Sequence, residues 1–265
     1  MIGVCTDSSA QLPLDLAARL RIEVVPLLVT VDGVDRLDGS DLTADEFWRH
    51  HASGPRPDIV MCEPDPGQFA AAYEDLLARG CREIVSVHVS GAVAGALKAA
   101  RLAAHSTPAP IRVVDTAGAG FGVGCAAWAA ADAAAAGASL DEVCAAAERT
   151  AASLGHVVLL PNHHPDAVTS FELLCLSGGN ATHLAGHTTA VDALNDMAAR
   201  AVAWGTALRI GIGHSDDASL PLADALEEWV EAAASVVEVV RFRIGPSMGV
   251  LTGPGAIGCV MCPVG

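Results

Sequence analysis

The sequence predicts an α/β protein with an N-terminal parallel sheet covered by helices on both faces, followed by a second α/β domain with a mixed sheet. Short β-branched runs alternate with helical stretches over the first part of the chain, and this order is typical of parallel sheets. Hydrophobic residues make up 52% but aromatics only 4%, and an alanine-rich composition favours helices packed on a sheet. Because the rhythm changes near Leu154, we expect domains at residues 1–154 and 155–265.

The first elements follow from buried apolar runs and from helix-entry residues. Residues 2–6 form a short apolar strand, and Asp7, Ser8 and Ser9 then supply the side-chain oxygens that accept the free N–H groups at a helix entry. Thr43 and Glu46 stand three apart, as in a capping box. The predicted elements are a helix from residue 12 to 20, a β-rich run over 22–31 and a helix from Thr43 to His50.

The remaining N-terminal elements keep the same alternation. A helix over residues 69–79 ends at Gly80, because glycine adopts the left-handed conformation that terminates helices. Strands are predicted over residues 83–89 and 111–114, with a helix to Ala104 between them. A glycine-rich turn then leads into a long alanine helix, and a second capping box joins Ser139 to Glu142.

The C-terminal part has longer strands and fewer helices. Cys259 and Cys262 lie in an apolar terminal strand, and the segment containing His183 and His187 is predicted to be a loop entering the next helix, because Gly186 and two threonines interrupt it. The other predicted strands are 157–160, 171–176, 208–212 and 236–244, and the predicted helices are 190–204 and 220–234.

Charge and hydropathy exclude several classes of function. Fifteen Lys and Arg stand against 31 Asp and Glu, which gives a net charge of −16. An acidic surface repels phosphate backbones and anionic headgroups, so we expect neither nucleic-acid binding nor peripheral membrane binding. The apolar start is interrupted at Asp7 and no long uncharged apolar run follows, so we expect no membrane insertion and a cytoplasmic protein.

The eight cysteines indicate no metal centre and no cofactor. Most stand alone in apolar runs, where a cysteine in a reducing compartment behaves as a small hydrophobe. The Cys259–Cys262 spacing suits a metal, but a structural zinc site needs four converging ligands, and neither a second pair nor two histidines lie near it.

Four polar or glycine-rich segments follow predicted strands. They are Asp7 to Ser9, residues 62–67, Ser90 with Gly91, and residues 115–124. Ligands of open α/β sheets bind outside the carboxyl ends of the strands. The same residues also serve ordinary strand-to-helix turns, so the pattern by itself indicates only a candidate cleft.

The order of several motifs resembles the DegV family. They are Thr6-Asp7-Ser8-Ser9-Ala10-Gln11-Leu12-Pro13, Val25-Pro26-Leu27, Glu63-Pro64-Asp65-Pro66-Gly67-Gln68-Phe69, Ser86-Val87-His88-Val89-Ser90, Val114-Asp115-Thr116 and Gly253-Pro254-Gly255-Ala256. The resemblance implies a two-domain α/β protein that encloses one fatty acid between its domains. It also implies that some members present this acid to a separate fatty-acid kinase.

The sequence departs from the family where the family binds the ligand carboxylate. By resemblance, Met61, Ala94 and Leu251 replace a threonine, a serine and a histidine, and none of the three can hold a carboxylate. The family's Gly-Gly-Arg segment is also missing, and Ser177-Gly178-Gly179-Asn180 stands in its region. A kinase partner is therefore expected for the family but doubtful for this chain.

We expect a protein that binds a long-chain fatty acid or related lipid in an interdomain cleft and carries no catalytic site. An elongated apolar tunnel near Cys62 and Ser90 is expected, with Met61, Ala94 and Leu251 at its wall or mouth. His88 is more typical of a hydrogen-bonded core histidine than of a ligand, because it falls on the strand alternation. The expected ligand-binding residues are Ser8, Ser9, Met61, Cys62, Ser90, Gly91, Ala94, Gly95, Asp115 and Leu251.

Two enzymatic alternatives stay open at this level. Glycines 118, 120, 122 and 124 lie between a strand and a helix, as in a nucleotide-binding loop, but their spacing does not match G-x-G-x-x-G and no Walker lysine follows. A metal-dependent enzyme would use the C-terminal histidines, namely His163, His164, His183, His187 and His214. No HExxH or GxSxG motif accompanies them.

Overall fold

The computed structural model describes residues 1–52, 57–62, 64–89, 95–162, 168, 170–178 and 180–264. The chain forms two compact units, Met1–Leu42 with Asp58–Ala152, and Thr43–Pro57 with Ser153–Gly265. The second unit thus contains a segment from the first fifty-odd residues, a discontinuity that the sequence-based division at 154/155 does not include.

The first unit is built on a four-stranded parallel sheet, as predicted. Its strands are β1 (Ile2–Asp7), β2 (Ile22–Val25), β6 (Glu83–His88) and β7 (Ile111–Asp115), in the order β2-β1-β6-β7. Helices α1 (Leu14–Leu20) and α5 (Phe121–Ala135) pack together on the sheet, and so do α3 (Pro66–Ala78) and α4 (Ala96–Ser106). Helix α6 (Leu140–Ser153) completes this core.

A small antiparallel sheet in the first unit was not predicted. It contains β3 (Leu28–Val31), β4 (Val34–Leu37) and β5 (Ile59–Met61), in the order β4-β3-β5. The predicted run over residues 22–31 is therefore two strands that belong to different sheets. Pro26 lies between them and has no N–H group with which to continue a strand ladder.

The second unit contains the predicted mixed sheet. Its six strands follow the order β10-β9-β8-β13-β11-β12, in which only β11 and β12 pair in parallel. Helices α7 and α8 cover one face over a core centred on Leu173, Leu194 and Ile210. The elements are β8 (Gly155–Pro161), β9 (Phe171–Ser177), β10 (Asn180–His187), α7 (Ala190–Val202), β11 (Leu208–His214), α8 (Leu220–Glu231), β12 (Val236–Arg243), α9 (Pro246–Thr252) and β13 (Ile257–Pro263).

Helix α2 (Ala44–Ala52) belongs to the second unit although it comes early in the chain. The Trp48 indole donates to the carbonyl of Ile244 at 2.7 Å, and Asp45 pairs with Arg243 at 2.7 Å. Gly249 leaves the room that the Phe47 and Trp48 rings fill, since a Cβ there would lie 2.7 Å from the Phe47 ring. These contacts fix α2 by residues about two hundred positions away.

Both predicted capping boxes are confirmed. The Thr43 hydroxyl accepts from the Glu46 N–H at 3.2 Å while the Glu46 carboxylate accepts from the Thr43 N–H at 2.9 Å. Ser139 and Glu142 repeat the exchange at 3.4 and 2.8 Å. Each box satisfies two N–H groups that the first helical turn leaves without partners.

The predicted loop around His183 and His187 is wrong. Both histidines lie in strand β10, which pairs antiparallel with β9 through a register shift between His183 and Ala185. Glycine and threonine suggested a loop, but the backbone hydrogen bonds to β9 outweigh local preference, which is weak in strands. The bulge accommodates the irregular part of the sequence.

The glycine-rich segment that leads into α5 makes a close packing contact at Gly124, in the first turn of the helix. A Cβ there would lie 2.8 Å from the carbonyl oxygen of Ala10 and 3.1 Å from the Leu12 side chain. Glycine therefore allows α5 to approach the turn after β1 closely. This agrees with the interpretation that the glycines permit close packing of turn and helix.

We expect Gly124→Ala to lower the free energy of unfolding by about 1–3 kcal/mol, because the added methyl group overpacks a rigid backbone contact. Urea denaturation followed by circular dichroism measures it. Gly118→Ala is the matched control, since the nearest atom to its Cβ, the Thr116 hydroxyl, lies at an ordinary 3.6 Å. Equal stability of the two variants would contradict the packing role of Gly124.

Candidate functional site

The carboxyl ends of three parallel strands place polar side chains at one edge of the first unit's sheet. Asp7 ends β1, His88 ends β6 and Asp115 ends β7. His88 and Asp115 are direct register partners, and Cys5 pairs with Ser86 two residues before the corresponding ends of β1 and β6. This edge is where open α/β sheets bind ligands.

A fully buried hydrogen-bond network lies just behind this edge. His88 Nδ1 lies 2.6 Å from Asp7 Oδ2, and His88 Nε2 lies 2.6 Å from the Ser86 hydroxyl. The Tyr73 hydroxyl reaches Ser86 at 2.9 Å and the carbonyl of Ala100 at 3.3 Å. The expectation that His88 is a hydrogen-bonded core residue is thereby confirmed.

One direction of donation fits the contacts that join Tyr73, Ser86, His88 and Asp7. Tyr73 donates to Ser86, Ser86 donates to Nε2 of His88, and Nδ1–H of His88 donates to Asp7. Burial raises the pKa of Tyr73 well above its ordinary value, and burial likewise raises the pKa of the neighbouring Cys5 thiol. Both groups therefore keep their protons, and Tyr73 remains the terminal donor.

Ser86, His88 and Asp7 are the residue types of a nucleophilic triad, but their burial excludes that chemistry in this conformation. All three are 0% exposed, and Ser86 lies inside strand β6 rather than on a strained turn. A nucleophile has to approach a substrate carbon closely. The network therefore has a structural role: it joins strands β1 and β6 to helix α3.

The two serines after β1 use their hydroxyl hydrogens inside the protein. Ser8 donates to Asp38 at 3.0 Å and accepts from the N–H of Leu27 at 3.1 Å. Ser9 donates both its N–H, at 3.0 Å, and its hydroxyl to Asp7. A hydroxyl has one hydrogen, so neither serine has a further donor for a ligand.

Met61 and Cys62 lie on the small sheet. Met61 pairs with Val29 in register and packs against the core of the first unit. The Cys62 N–H donates to the carbonyl of Leu28 at 3.0 Å, and its half-exposed thiol lies 3.3 Å from the Thr30 hydroxyl. Thr30 donates to Asp35 at 2.6 Å, so the Cys62 thiol is the donor to Thr30.

The other predicted site residues lie on different elements. Gly95 precedes α4, and its carbonyl accepts the N–H of Ala99 at 3.0 Å. Exposed Asp115 accepts the N–H of Ala117 at 2.8 Å. Leu251 lies on α9 of the second unit and is 66% exposed. Ser90, Gly91 and Ala94 lie outside the described residues, as does the tunnel wall expected near them.

Gln11 carries an unsatisfied donor close to the carboxyl edge. It follows the 3-10 turn Ser8–Ala10 with φ 52°, in the left-handed region. Its side-chain Nε2 is buried and has no hydrogen-bond partner among the described residues. A buried donor without an acceptor costs roughly 1–3 kcal/mol, so this amide is suited to an incoming acceptor.

The described histidines of the second unit do not form a metal centre. His183 pairs with Glu172 at 2.7 Å, and His187 pairs with Asp196 at 3.1 Å. Burial, and then the charges of Arg243 and Arg241, lower the pKa of His214 to about 4. In the part of the chain that the structure describes, no three potential ligands converge on a metal position. His163 and His164 lie outside that part.

Sequence reasoning missed the partners that hold the edge together. Asp38, Tyr73 and Ser86 are buried. Asp38 and Tyr73 each form a hydrogen bond with a residue remote in sequence, whereas Ser86 contacts His88 two positions away. Asp38 comes thirty positions after Ser8 and carries no motif. Tyr73 gave one weak signal, because it is the single tyrosine of the chain and lies on the apolar side of a predicted helix.

In the described segments, no helix has the length and apolarity needed to cross a bilayer. None of the eight cysteines, all of which are described, forms a disulfide.

Comparison with known proteins agrees with the fold. Residues 1–162 match the family model described as an uncharacterised protein of the DegV family. A DegV domain-containing protein of Streptomyces coelicolor is 31% identical over 280 aligned positions, which cover 98% of each chain.

Solved structures give the same result over the full chain. A DegV family protein from Thermus thermophilus, described as fatty-acid binding, is 26% identical, covers 99% of both chains and has a TM-score of 0.88. A DegV family protein from Corynebacterium glutamicum is 25% identical with a TM-score of 0.79, covering 100% of this chain and 98% of its own.

We expect His88→Leu to lower the free energy of unfolding by about 3–5 kcal/mol, because it leaves the Asp7 carboxylate buried without one partner. Urea denaturation measures the loss. Asp7→Asn combined with His88→Leu removes the uncompensated charge and is expected to recover part of it, as a double-mutant cycle detects. A loss below about 1 kcal/mol for the single variant would contradict the structural role of the contact.

Proposed function

The chain belongs to the DegV family, and on that premise we propose that it binds a long-chain fatty acid or a related lipid and has no catalytic activity. The observation that carries the proposal is its likeness over 99% of its length to the fatty-acid-binding protein from Thermus thermophilus. The buried state of Ser86, His88 and Asp7 supports a binding role over a catalytic one.

The proposed ligand site is at the carboxyl edge of the first unit's sheet and on the small sheet. An acyl chain gains roughly 0.8 kcal/mol for each methylene group removed from water, so the Met61 side chain and other apolar groups suffice to bind the tail. The proposed contacts are Ser8, Ser9, Met61, Cys62, Gly95 and Asp115, together with Ser90, Gly91, Ala94 and Leu251.

The kind of head group that the site accepts depends on the hydrogen-bond donors that are not already used within the protein. Ser8 and Ser9 donate to Asp38 and Asp7, and Met61 and Leu251 have no donor. The amide of Gln11 is a neutral donor without a partner in the described chain. A neutral amide binds a carboxylate, an alcohol or an ester carbonyl, and it does not neutralise an ion. We therefore propose a site that depends on the chain of the lipid more than on its charge.

The free cysteines support a location inside the cell. Eight cysteines without a disulfide are typical of a reducing compartment, and this supports a cytoplasmic location. In the region of the family's Gly-Gly-Arg segment, β9 ends at Ser177 and β10 begins at Asn180. No arginine is present in the sequence there, so we propose that this chain is a poor carrier for a fatty-acid kinase.

We expect the carboxyl-edge site of the delipidated protein to bind palmitate and hexadecanol with dissociation constants within about tenfold of each other, a difference of about 1.4 kcal/mol. Octanoate is expected to bind far more weakly, because it buries fewer methylene groups. Calorimetric titration measures all three ligands. A preference for palmitate of about a hundredfold would reveal an anion site, and absence of binding by both long-chain ligands would contradict the proposed function.

Gln11→Leu tests the head-group contact within the same titrations. Loss of one hydrogen bond is expected to raise the dissociation constants of palmitate and hexadecanol alike, by about two- to tenfold. Gln68→Leu is the matched control, because this half-buried glutamine already donates to the carbonyl of Pro26 at 3.1 Å. An unchanged affinity in Gln11→Leu would remove the amide from the site.

We expect little acyl phosphate when the palmitate-loaded protein is incubated with a fatty-acid kinase and ATP, because this chain lacks the family's Gly-Gly-Arg segment and has a net charge of −16. Thin-layer separation of labelled product measures the yield. A DegV family protein that retains Gly-Gly-Arg provides the positive control. Comparable yields from the two proteins would show that the segment is dispensable.

A further inference from the structure

A cavity of about 620 Å³ opens in the first unit at the amino edge of the parallel sheet, the edge opposite Asp7 and His88. Its wall includes the start of β1, the end of α1 and the C-terminal turns of α5. Small-molecule sites span about 300–1,000 Å³, so the volume is that of a ligand pocket. We call it the amino-edge pocket, and its central lining residues are Ile2, Val4, Leu20, Ile22, Cys81 and Ala134.

Small side chains create the space. Helices α1 and α5 present Ala17, Ala18, Ala131, Ala134 and Ala135 to it, where longer residues would fill the gap between helix and sheet. Most of the remaining wall is aliphatic. Such a surface binds an apolar chain by excluding water from it.

The charged residues of the wall are mainly cationic. Arg19, Arg21 and Arg79 line it together with the single carboxylate of Asp132, in a chain whose net charge is −16. Arg79 also pairs with Glu23, which does not line the wall. The pocket therefore combines an apolar interior with a positive rim in an otherwise acidic protein, which favours an anionic head group.

Arg21 occupies a conformation that glycine would adopt at lower cost. It ends α1 with φ 55°, and its N–H closes the helix onto Ala17 and Ala18. Glycine is the usual residue at such a left-handed helix end, since it has no Cβ to clash. Within the described segments the exposed guanidinium makes no ion pair or hydrogen bond, so no contact inside the protein accounts for the arginine.

We propose that the amino-edge pocket is a second ligand site, which binds a free carboxylate with an apolar chain, the chain inside and the head group at Arg21. The site does not depend on the proposed function, because it lies at the other edge of the sheet. A free carboxylate is favoured over a membrane lipid because a pocket of about 620 Å³ between α1, α5 and the sheet has room for a single chain.

The reactivities of Cys81 and Cys62 allow ligand binding at the two edges of the sheet to be measured separately. Cys81 lines the amino-edge pocket, whereas Cys62 lies in the proposed lipid site. Alkylation by N-ethylmaleimide, followed residue by residue by peptide mass spectrometry, is expected to slow at Cys81 when laurate is added. If laurate slows alkylation at Cys62 alone, the pocket is not a ligand site and the proposed function stands. If laurate slows alkylation at Cys81 alone, the pocket is a ligand site and the proposed lipid site is contradicted.

Two variants test the two parts of the pocket. Ala134→Trp fills the cavity and is expected to abolish protection of Cys81 while leaving that of Cys62. Arg21→Gly is expected to raise the laurate concentration for half-protection about three- to tenfold, while the melting temperature stays equal or rises because the backbone strain is relieved. Arg149→Ala, at an exposed arginine of α6, is the control and should change neither quantity.

Laurate protection that survives both variants would overturn the proposal. So would protection of Cys81 by phosphatidylglycerol vesicles but not by laurate, since that would identify a membrane surface as the ligand. A lower melting temperature in Arg21→Gly with unchanged protection would assign the arginine a structural role and would also count against the site.

Discussion

The contact between His88 and Asp7 joins the carboxyl ends of the two central strands of the first unit's sheet. Both side chains are fully buried, so each requires the other, because an unpaired polar group in the interior is costly. Asp7 also binds the N–H and hydroxyl of Ser9, which turns the chain sharply after β1. The direction in which the chain leaves the sheet is thus fixed by one pair of side chains.

That turn determines the rest of the edge. Ser8 comes into position to bind both Leu27 and Asp38, the two ends of the hairpin formed by β3 and β4. The hairpin in turn pairs with β5 and so positions Met61. A chain of hydrogen bonds therefore leads from the sheet interior to the proposed lipid contacts. The hydroxyls along it hold the protein together and are not available as donors to a ligand.

Local patterns predicted what depends on neighbouring residues. The two capping boxes, the parallel sheet and the terminal strand containing Cys259 and Cys262 all follow from spacing over a few positions, and the structure contains them. Strand β10 was missed because its glycine and threonine residues are stabilised by pairing with β9. The small sheet was missed because its strands are only three or four residues long.

The candidate site was predictable only to the level of an edge. Strand ends and family resemblance indicate which segments reach it, yet the state of each side chain depends on distant partners. Nothing near Ser8 in the sequence indicates that its hydroxyl binds Asp38. Likewise, the unsatisfied amide of Gln11 results from the absence of an acceptor, which sequence spacing does not encode.

Helix α2 has a consequence for how the protein is made. The chain passes from the first unit to the second after Leu42, returns before Asp58 and passes over again after Ala152. Domains generally fold in the order of their synthesis, but Phe47 and Trp48 pack against Gly249 and Ile244, which are synthesised about two hundred residues later. The packing of these two aromatic side chains is therefore completed only after the C-terminal segment of the second unit has been synthesised.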